Sequence, residues 1–234
     1  TTSDMLKALF WKDVRINRLP LLVGVVLLIA PYFLAVATFT FYPPASPVGT
    51  SEMWAGTLAL GSIYSLGFSQ LTLAVLAGNV IAVERMDRSA EFLGYLPPSK
   101  AQILLSKSAL LIGTGIVVTA VNLAAYMVSN SLAGIPNAAV PGMSILDLSQ
   151  FSLVGMGAAG VGWAASAKLE TTGAPVLFAI VTPMIVPGAF YLTYFAFGWP
   201  LEQLSGTTIL LTCALNGAVF FVVGWVYYLR RVEA

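Results

Sequence analysis

The chain has 234 residues, of which 58% are apolar and only 9% are charged. Soluble domains carry about 25% charged residues, so this composition is typical of an integral membrane protein. The net charge of +1 gives no bulk basic character that would indicate a nucleic-acid partner. The absence of histidine excludes histidine-based triads and metal sites, and the single cysteine, Cys213, excludes an intrachain disulfide.

The first segment of the chain, residues 3–19, predicts an amphipathic helix with a basic side. Leu6, Phe10 and Val14 recur every four residues, which is the spacing of one helical face. We expect the helix to lie flat on the cytoplasmic membrane surface; the alternative is an ordinary charged flank that orients the first span. The predicted interfacial residues are Phe10, Trp11, Lys12, Arg15 and Arg18.

Six apolar runs follow this segment, and each is long enough to cross a bilayer, which requires about 20 residues. The sequence therefore predicts an all-α integral membrane protein with a single transmembrane domain over residues 1–234. In this domain six transmembrane helices follow the amphipathic interfacial helix. The predicted spans lie near residues 20–42, 56–83, 101–128, 145–168, 174–197 and 207–229.

The basic residues fall on one side of the predicted membrane. Every Lys and Arg lies in or beside the segments that precede the first span, join spans two and three, join spans four and five, or follow the sixth span. The segments on the other side, 43–55, 129–144 and 198–206, contain none. Because cytoplasmic segments are enriched in Lys and Arg, both termini are predicted to be cytoplasmic. We expect the chain to lie in the cytoplasmic (inner) membrane of a prokaryote.

The longest polar interruption of the apolar sequence is residues 84–107. Within it, residues 86–96 are predicted to form a short helix, which the following pair of prolines ends because a residue before proline avoids the α region. Ser99 and Gln102 then form a capping box for the third span. A short helix held between two spans is suited to transmit motion from a soluble partner to the bundle.

The predicted spans contain no Asp, Glu, Lys or Arg near their centres, which argues against a proton-driven antiporter. The sequence also lacks a GxxxxGK[ST] phosphate loop, so the chain has no visible energy source of its own. The fourth span has a small-residue surface that favours tight helix packing, with a pore-lining or dimer-contacting face as the alternative; its glycines are Gly155, Gly157, Gly160 and Gly162. Interhelical hydrogen bonds are expected for Gln70, Asn79, Asn122 and Asn216.

The loop and the six-span plan together resemble type-2 ABC transporter permeases, the membrane subunits of many ABC exporters. The matching loop residues are the acid–base pair Glu84-Arg85, then Leu96-Pro97-Pro98-Ser99-Lys100, and then Lys107. The N-terminal ALFWKDVRINR, residues 8–18, resembles the interfacial connecting helix of this family. The chain departs from the family at Arg88 and Ser89, where a Gly-Thr pair is frequent.

This resemblance implies a permease subunit that performs no catalysis and binds no cofactor itself. A coupling helix at about 86–96, within the loop 84–100, would dock on a separate ATP-binding subunit. Two such subunits would use ATP and Mg, and a second copy of this chain would complete the substrate path. Glu84 would pair with basic residues at the cytoplasmic end of the bundle. The implied coupling residues are Glu84, Arg85, Asp87, Arg88, Glu91, Phe92 and Tyr95.

Two other classes of function stay open on the residues alone. A stand-alone transporter or channel would need an ion pathway, for which the spans offer no charges. A membrane enzyme, such as an intramembrane protease, would need catalytic groups that a chain without histidine or central acids does not provide. Within the permease interpretation the sequence does not indicate the substrate or any accessory proteins on the outer side. A loose similarity to the haem-exporter type of permease is too weak to assign a substrate.

Overall fold

The computed structural model describes residues 2–42, 49–86, 98–133, 144–200 and 206–231. Within these ranges the regular structure is helical and contains no strand, as predicted. We number the helices in chain order. They are α1 (Thr2–Ile16), α2 (Arg18–Phe41), α3 (Thr50–Asn79), α4 (Ala82–Met86), α5 (Lys100–Ala133), α6 (Ile145–Lys168), α7 (Gly173–Ala196) and α8 (Gly206–Arg231).

Six of the described helical segments are long and apolar enough to cross a membrane. They are α2, α3 together with α4, and α5 to α8, one for each predicted span. The architecture is therefore that of a multi-pass helical membrane protein, and the prediction of six membrane-length helices is confirmed. Residues 2–16 are helical as well, although the position of α1 at a membrane surface stays a prediction.

Several helix boundaries differ from the predicted ones. The second span was predicted over 56–83, but α3 begins at Thr50, where the Glu52 carboxylate accepts the backbone N–H of Gly49 at 3.3 Å. A polar contact at the helix start thus extends the helix beyond its apolar part. The same helix ends at Asn79, and after a turn the chain continues in α4. Arg18 begins α2 and does not belong to the N-terminal helix, as the predicted segment 3–19 had implied.

Helix α3 lies at the centre of the bundle, where it packs against α2, α5, α6 and α7. Its buried positions include many small residues, which allow neighbouring helices to approach closely. Leu76 near the end of α3 and Val80 just after it belong to a core that also contains Trp163 of α6 and Tyr228 of α8. By contrast, α7 is the least buried of the membrane-length helices.

The glycine surface of the fourth span packs against α8. A Cβ atom added at Gly160 would meet the backbone carbonyl oxygen of Gly217, and one added at Gly157 would lie 2.9 Å from the carbonyl oxygen of Cys213. The two backbones are therefore close enough that a larger side chain would require them to separate. Tight packing within the bundle, the favoured interpretation of these glycines, is confirmed.

The polar residues of the spans differ in whether their hydrogen-bond partners lie in another helix or in their own. Asn122 of α5 accepts a hydrogen bond from the Tyr32 hydroxyl of α2 at 2.9 Å, which is the interhelical contact expected. Gln70 instead donates within its own helix, to the carbonyl oxygen of Leu66 at 2.8 Å. The expectation of an interhelical bond thus holds for Asn122 but is wrong for the donor group of Gln70, since its amide reaches a carbonyl one turn back.

Candidate functional site

Four charged side chains meet where α1, α4 and α5 come together, and we call them the ion cluster. They are Lys12 and Asp13 of α1, Glu84 of α4 and Lys107 of α5. Asp13, Glu84 and Lys107 are each at most 2% exposed. The cluster contains two acids and two bases, so its formal charges cancel.

Asp13 enters the cluster because α1 turns one stripe of residues toward the bundle. Leu9, Asp13 and Asn17 are spaced four residues apart and all three are buried. Leu9 packs on Ile103 of α5, and the Asn17 amide donates to the backbone oxygen of Asp13 at 2.9 Å. The carboxylate of Asp13 then accepts a hydrogen bond from the Ser106 hydroxyl at 2.6 Å. This stripe fixes the rotation of α1 about its own axis.

Lys107 is the centre of the ion cluster. Its ammonium group lies 3.2 Å from Asp13 Oδ1 and 2.9 Å from Glu84 Oε2. It also donates to the backbone oxygen of Val80 at 2.8 Å, where α3 ends and leaves carbonyl groups without helical partners. An ammonium group has three donors, so these three contacts use all of them. One side chain therefore connects α1, α3 and α4 to α5.

The adjacent residues Glu84 and Arg85 attach α4 to different parts of the bundle. Glu84 accepts from Lys12 and pairs with Lys107, which connects it to α1 and α5. Arg85 donates to the backbone oxygen of Ala167 at 2.7 Å, in the last turn of α6, and lies 3.4 Å from Glu170. The expected pairing of Glu84 with basic residues is confirmed. Through these two residues α4 contacts three longer helices.

The electrostatics of the ion cluster indicate a structural role, in which paired charges hold helices together. Burying a charge costs several kcal/mol unless it is paired and hydrogen-bonded, and each buried charge here has partners of the opposite sign. The three donors of Lys107 are all engaged, so it offers none to a ligand. No group of three His, Cys, Asp or Glu residues that could hold a metal ion occurs among the described residues. The arrangement therefore connects α1, α4 and α5 to one another.

The predicted interfacial residues divide into two groups in the structure. Trp11, Phe10, Arg15 and Arg18 are exposed and are free to contact a membrane surface. Lys12, in contrast, is partly buried and pairs with Glu84. Of the predicted apolar face of α1, Phe10 is 40% exposed, whereas Val14 packs against the core.

The central loop is described only in part. Of its predicted coupling residues, the structure places Glu84 and Arg85 in α4, which was not predicted as a separate helix. The capping box is confirmed: the Ser99 N–H donates to Gln102 Oε1 at 2.8 Å, and the Gln102 N–H donates to Ser99 Oγ at 3.3 Å. Asp87, Arg88, Glu91, Phe92 and Tyr95 lie outside the described residues, as does nearly all of the predicted coupling helix 86–96.

Two residues of the ion cluster, Asp13 and Lys107, were absent from the predicted site. So was Ser106, which donates a hydrogen bond to Asp13. The spacing of Leu9, Asp13 and Asn17 was a signal for Asp13, since it marks a helical stripe as regular as the one chosen. Lys107 was noted as part of the family pattern, but its position eight residues into a long helix was the stronger signal. A lysine that deep in an apolar helix requires a buried partner.

Comparison with protein-family models, with curated proteins and with solved structures found no match for this chain. The class that the structure defines is therefore a multi-pass helical membrane protein with a buried ion cluster at one end of its bundle.

Proposed function

We propose that this chain is the membrane-spanning permease subunit of an ABC transporter, acting as an exporter in the cytoplasmic membrane of a prokaryote. It performs no chemistry. Two separate ATPase subunits hydrolyse ATP with Mg and act on the loop 84–100, and a second copy of the chain completes the substrate path. Both termini are cytoplasmic in this proposal.

The ion cluster is the observation that carries the proposal. A coupling segment works only if its displacement reaches the spans, and α4 directly precedes residues 87–97 in the chain. Glu84 and Arg85 connect α4 to α1, α5 and α6 by contacts that include a buried ion pair. A force applied after Met86 therefore reaches three helices within one helical turn. A surface loop without such contacts would dissipate the same force in its own motion.

The placement of charges supports the proposed orientation. Asp13, Glu84, Lys107 and the carbonyl of Ala167 converge at one end of the bundle, although they come from four separate parts of the chain. In a chain that crosses the membrane six times, these four parts all lie on the same side of it. The convergence therefore agrees with the proposed number of spans. The basic residues of the described chain lie at or near this end, and the positive-inside rule places such an end in the cytoplasm.

The decisive experiment is reconstitution of the chain with an ABC ATPase subunit from the same organism. The full chain, tagged and co-expressed with that ATPase, is expected to co-purify with it and to support ATP hydrolysis in proteoliposomes. The double variant Arg88→Glu/Glu91→Lys keeps the net charge and is expected to weaken the complex. Arg85 is left unchanged because its contact with Ala167 would confound the result.

The control is Lys7→Glu, which reverses an exposed charge on α1. It is expected to leave both assembly and ATP hydrolysis near the values of the unmodified complex. Equal assembly and activity for the double variant and the unmodified chain would overturn the coupling role of 86–96. Solute flux through liposomes that contain only the purified chain would instead favour a stand-alone transporter or channel.

A further inference from the structure

A lateral cleft of about 610 Å³ lies between α5 on one side and α6 and α8 on the other, with Leu73 of α3 at its base. Its walls are mostly apolar, and none of the described residues that line it is charged. Ile116 of α5, Met156 of α6 and Val222 of α8 line the cleft and are each more than half exposed, so it opens toward the surroundings of the bundle. In a membrane-spanning bundle those surroundings are hydrocarbon.

We propose that this cleft binds one acyl chain of a membrane phospholipid. The lining residues of α5 run from Leu111 to Leu123, which is about 18 Å along a helix at 1.5 Å per residue. A water-sized group such as a methylene takes roughly 30 Å³, so the cleft has room for about 20 of them. The cleft therefore has room for one alkyl chain along its length.

The charged end of the bundle suits a lipid headgroup, since Arg230 is exposed and lies about two turns beyond Val222 in α8. Its guanidinium group would attract the phosphate of a lipid whose chain occupies the cleft.

Gly115 provides a direct test because it lines the cleft and has space in front of it. A Cβ atom added there would meet only the two methyl groups of Leu73, each at 3.8 Å, which is ordinary contact. Gly113 is a matched control in the same helix: it does not line the cleft, and an added Cβ would meet nothing within 4 Å. The variants Gly115→Phe and Gly113→Phe thus add the same ring to the same helix, inside and outside the cleft.

The experiment reconstitutes the full chain in vesicles that contain a phosphatidylglycerol with a diazirine at mid-chain, followed by irradiation and mass-spectrometric mapping. Met156 in the cleft is 53% exposed and Met184 of α7 is 70% exposed. We expect more labelling of Met156 than of Met184, although Met184 is the more accessible. Gly115→Phe should lower the labelling of Met156 by at least about fivefold, because the ring takes the space of the chain. Gly113→Phe should leave it unchanged.

Labelling that follows exposure alone, with Met184 above Met156 in every variant, would overturn the proposal. So would disulfide-linked dimers of Gly115→Cys in a Cys213→Ala background, because they would place a second copy at the cleft. If Gly115→Phe fails to fold, Ala120→Phe at the exposed rim of the cleft replaces it, with the same expected loss. No outcome depends on an ATPase partner, so the lipid site and the permease proposal fail independently.

Discussion

The Lys107 ammonium of α5 lies 3.2 Å from the Asp13 carboxylate of α1, and the two residues are 94 positions apart in the chain. Both side chains are 1% exposed. Glu84 lies 2.9 Å from the same ammonium group. A single buried cation thus holds the N-terminal helix and the start of the central loop in one arrangement.

Replacing Lys107 with Met should destabilise the protein strongly. Methionine retains the aliphatic stem but leaves Asp13 and Glu84 buried with the partly exposed Lys12 as their remaining cation. Breaking a buried ion pair from one side costs about 3–5 kcal/mol. The free energy of unfolding in detergent, followed by tryptophan fluorescence, measures the loss. Lys100→Met is the control, because Lys100 begins the same helix and is exposed.

Measuring Lys107→Met in a second variant of the chain separates the effect of lost charge pairing from the effect of lost packing. If the uncompensated acids cause the loss, Lys107→Met should cost much less in an Asp13→Asn/Glu84→Gln chain, because the neutral amides carry no charge to compensate. The coupling energy of this cycle should be at least about 1 kcal/mol, as for residues in direct contact. Equal losses in both backgrounds would contradict the electrostatic explanation.

The two contacts of Arg85 should differ greatly in their contribution to the free energy of unfolding. Glu170 is 79% exposed, and an exposed ion pair stabilises by about 0–1 kcal/mol. The bond to the Ala167 carbonyl is 2.7 Å long and caps the end of α6. Arg85→Gln should therefore lower the free energy of unfolding by about 1.5–3 kcal/mol, the range for hydrogen bonds to charged groups. Glu170→Gln should change it by less than about 0.5 kcal/mol, and thermal melts of both variants test the difference.

The features that sequence predicted well are local ones. The six spans follow from apolar runs of membrane length, and the Ser99–Gln102 capping box joins residues three apart. The ion cluster could not be predicted in the same way, because its partners are far apart in the chain and meet only when the bundle packs. The rotation of α1 about its axis also depends on contacts with residues that are distant in the chain. Two stripes of the helix had a regular spacing, and only packing on Ile103 selected the one with Leu9.

The end of α3 shows why a long apolar run does not define a helix. Hydropathy predicted one span to Val83, yet α3 ends at Asn79 and α4 begins at Ala82. The turn between them leaves the Val80 carbonyl for Lys107 to bind. The partner of that carbonyl is 27 residues away in the chain, so residues 79–82 alone do not indicate it.

The hydrogen bond between Tyr32 and Asn122 should contribute modestly, despite its position inside the bundle. Interhelical hydrogen bonds in membrane proteins average about 0.6 kcal/mol, because the unfolded helices also find partners in the membrane. Tyr32→Phe should therefore lower the free energy of unfolding by about 0.6 kcal/mol. Tyr64→Phe is the control, since Tyr64 is 56% exposed. A loss above about 2 kcal/mol would show that Asn122 has no substitute partner once the hydroxyl is removed.

The contact between α6 and α8 should be the least tolerant of added volume. An added Cβ at Gly160 would overlap the backbone oxygen of Gly217, which cannot rotate away as a side chain can. Gly160→Ala should therefore force the two helices apart and cost about 1–3 kcal/mol or more. Gly113→Ala, with nothing within 4 Å of its added Cβ, should be neutral or slightly stabilising because alanine favours the helix. Unfolding of both variants in the same detergent makes the comparison, and equal stabilities would show that the α6–α8 contact adapts to an added methyl group.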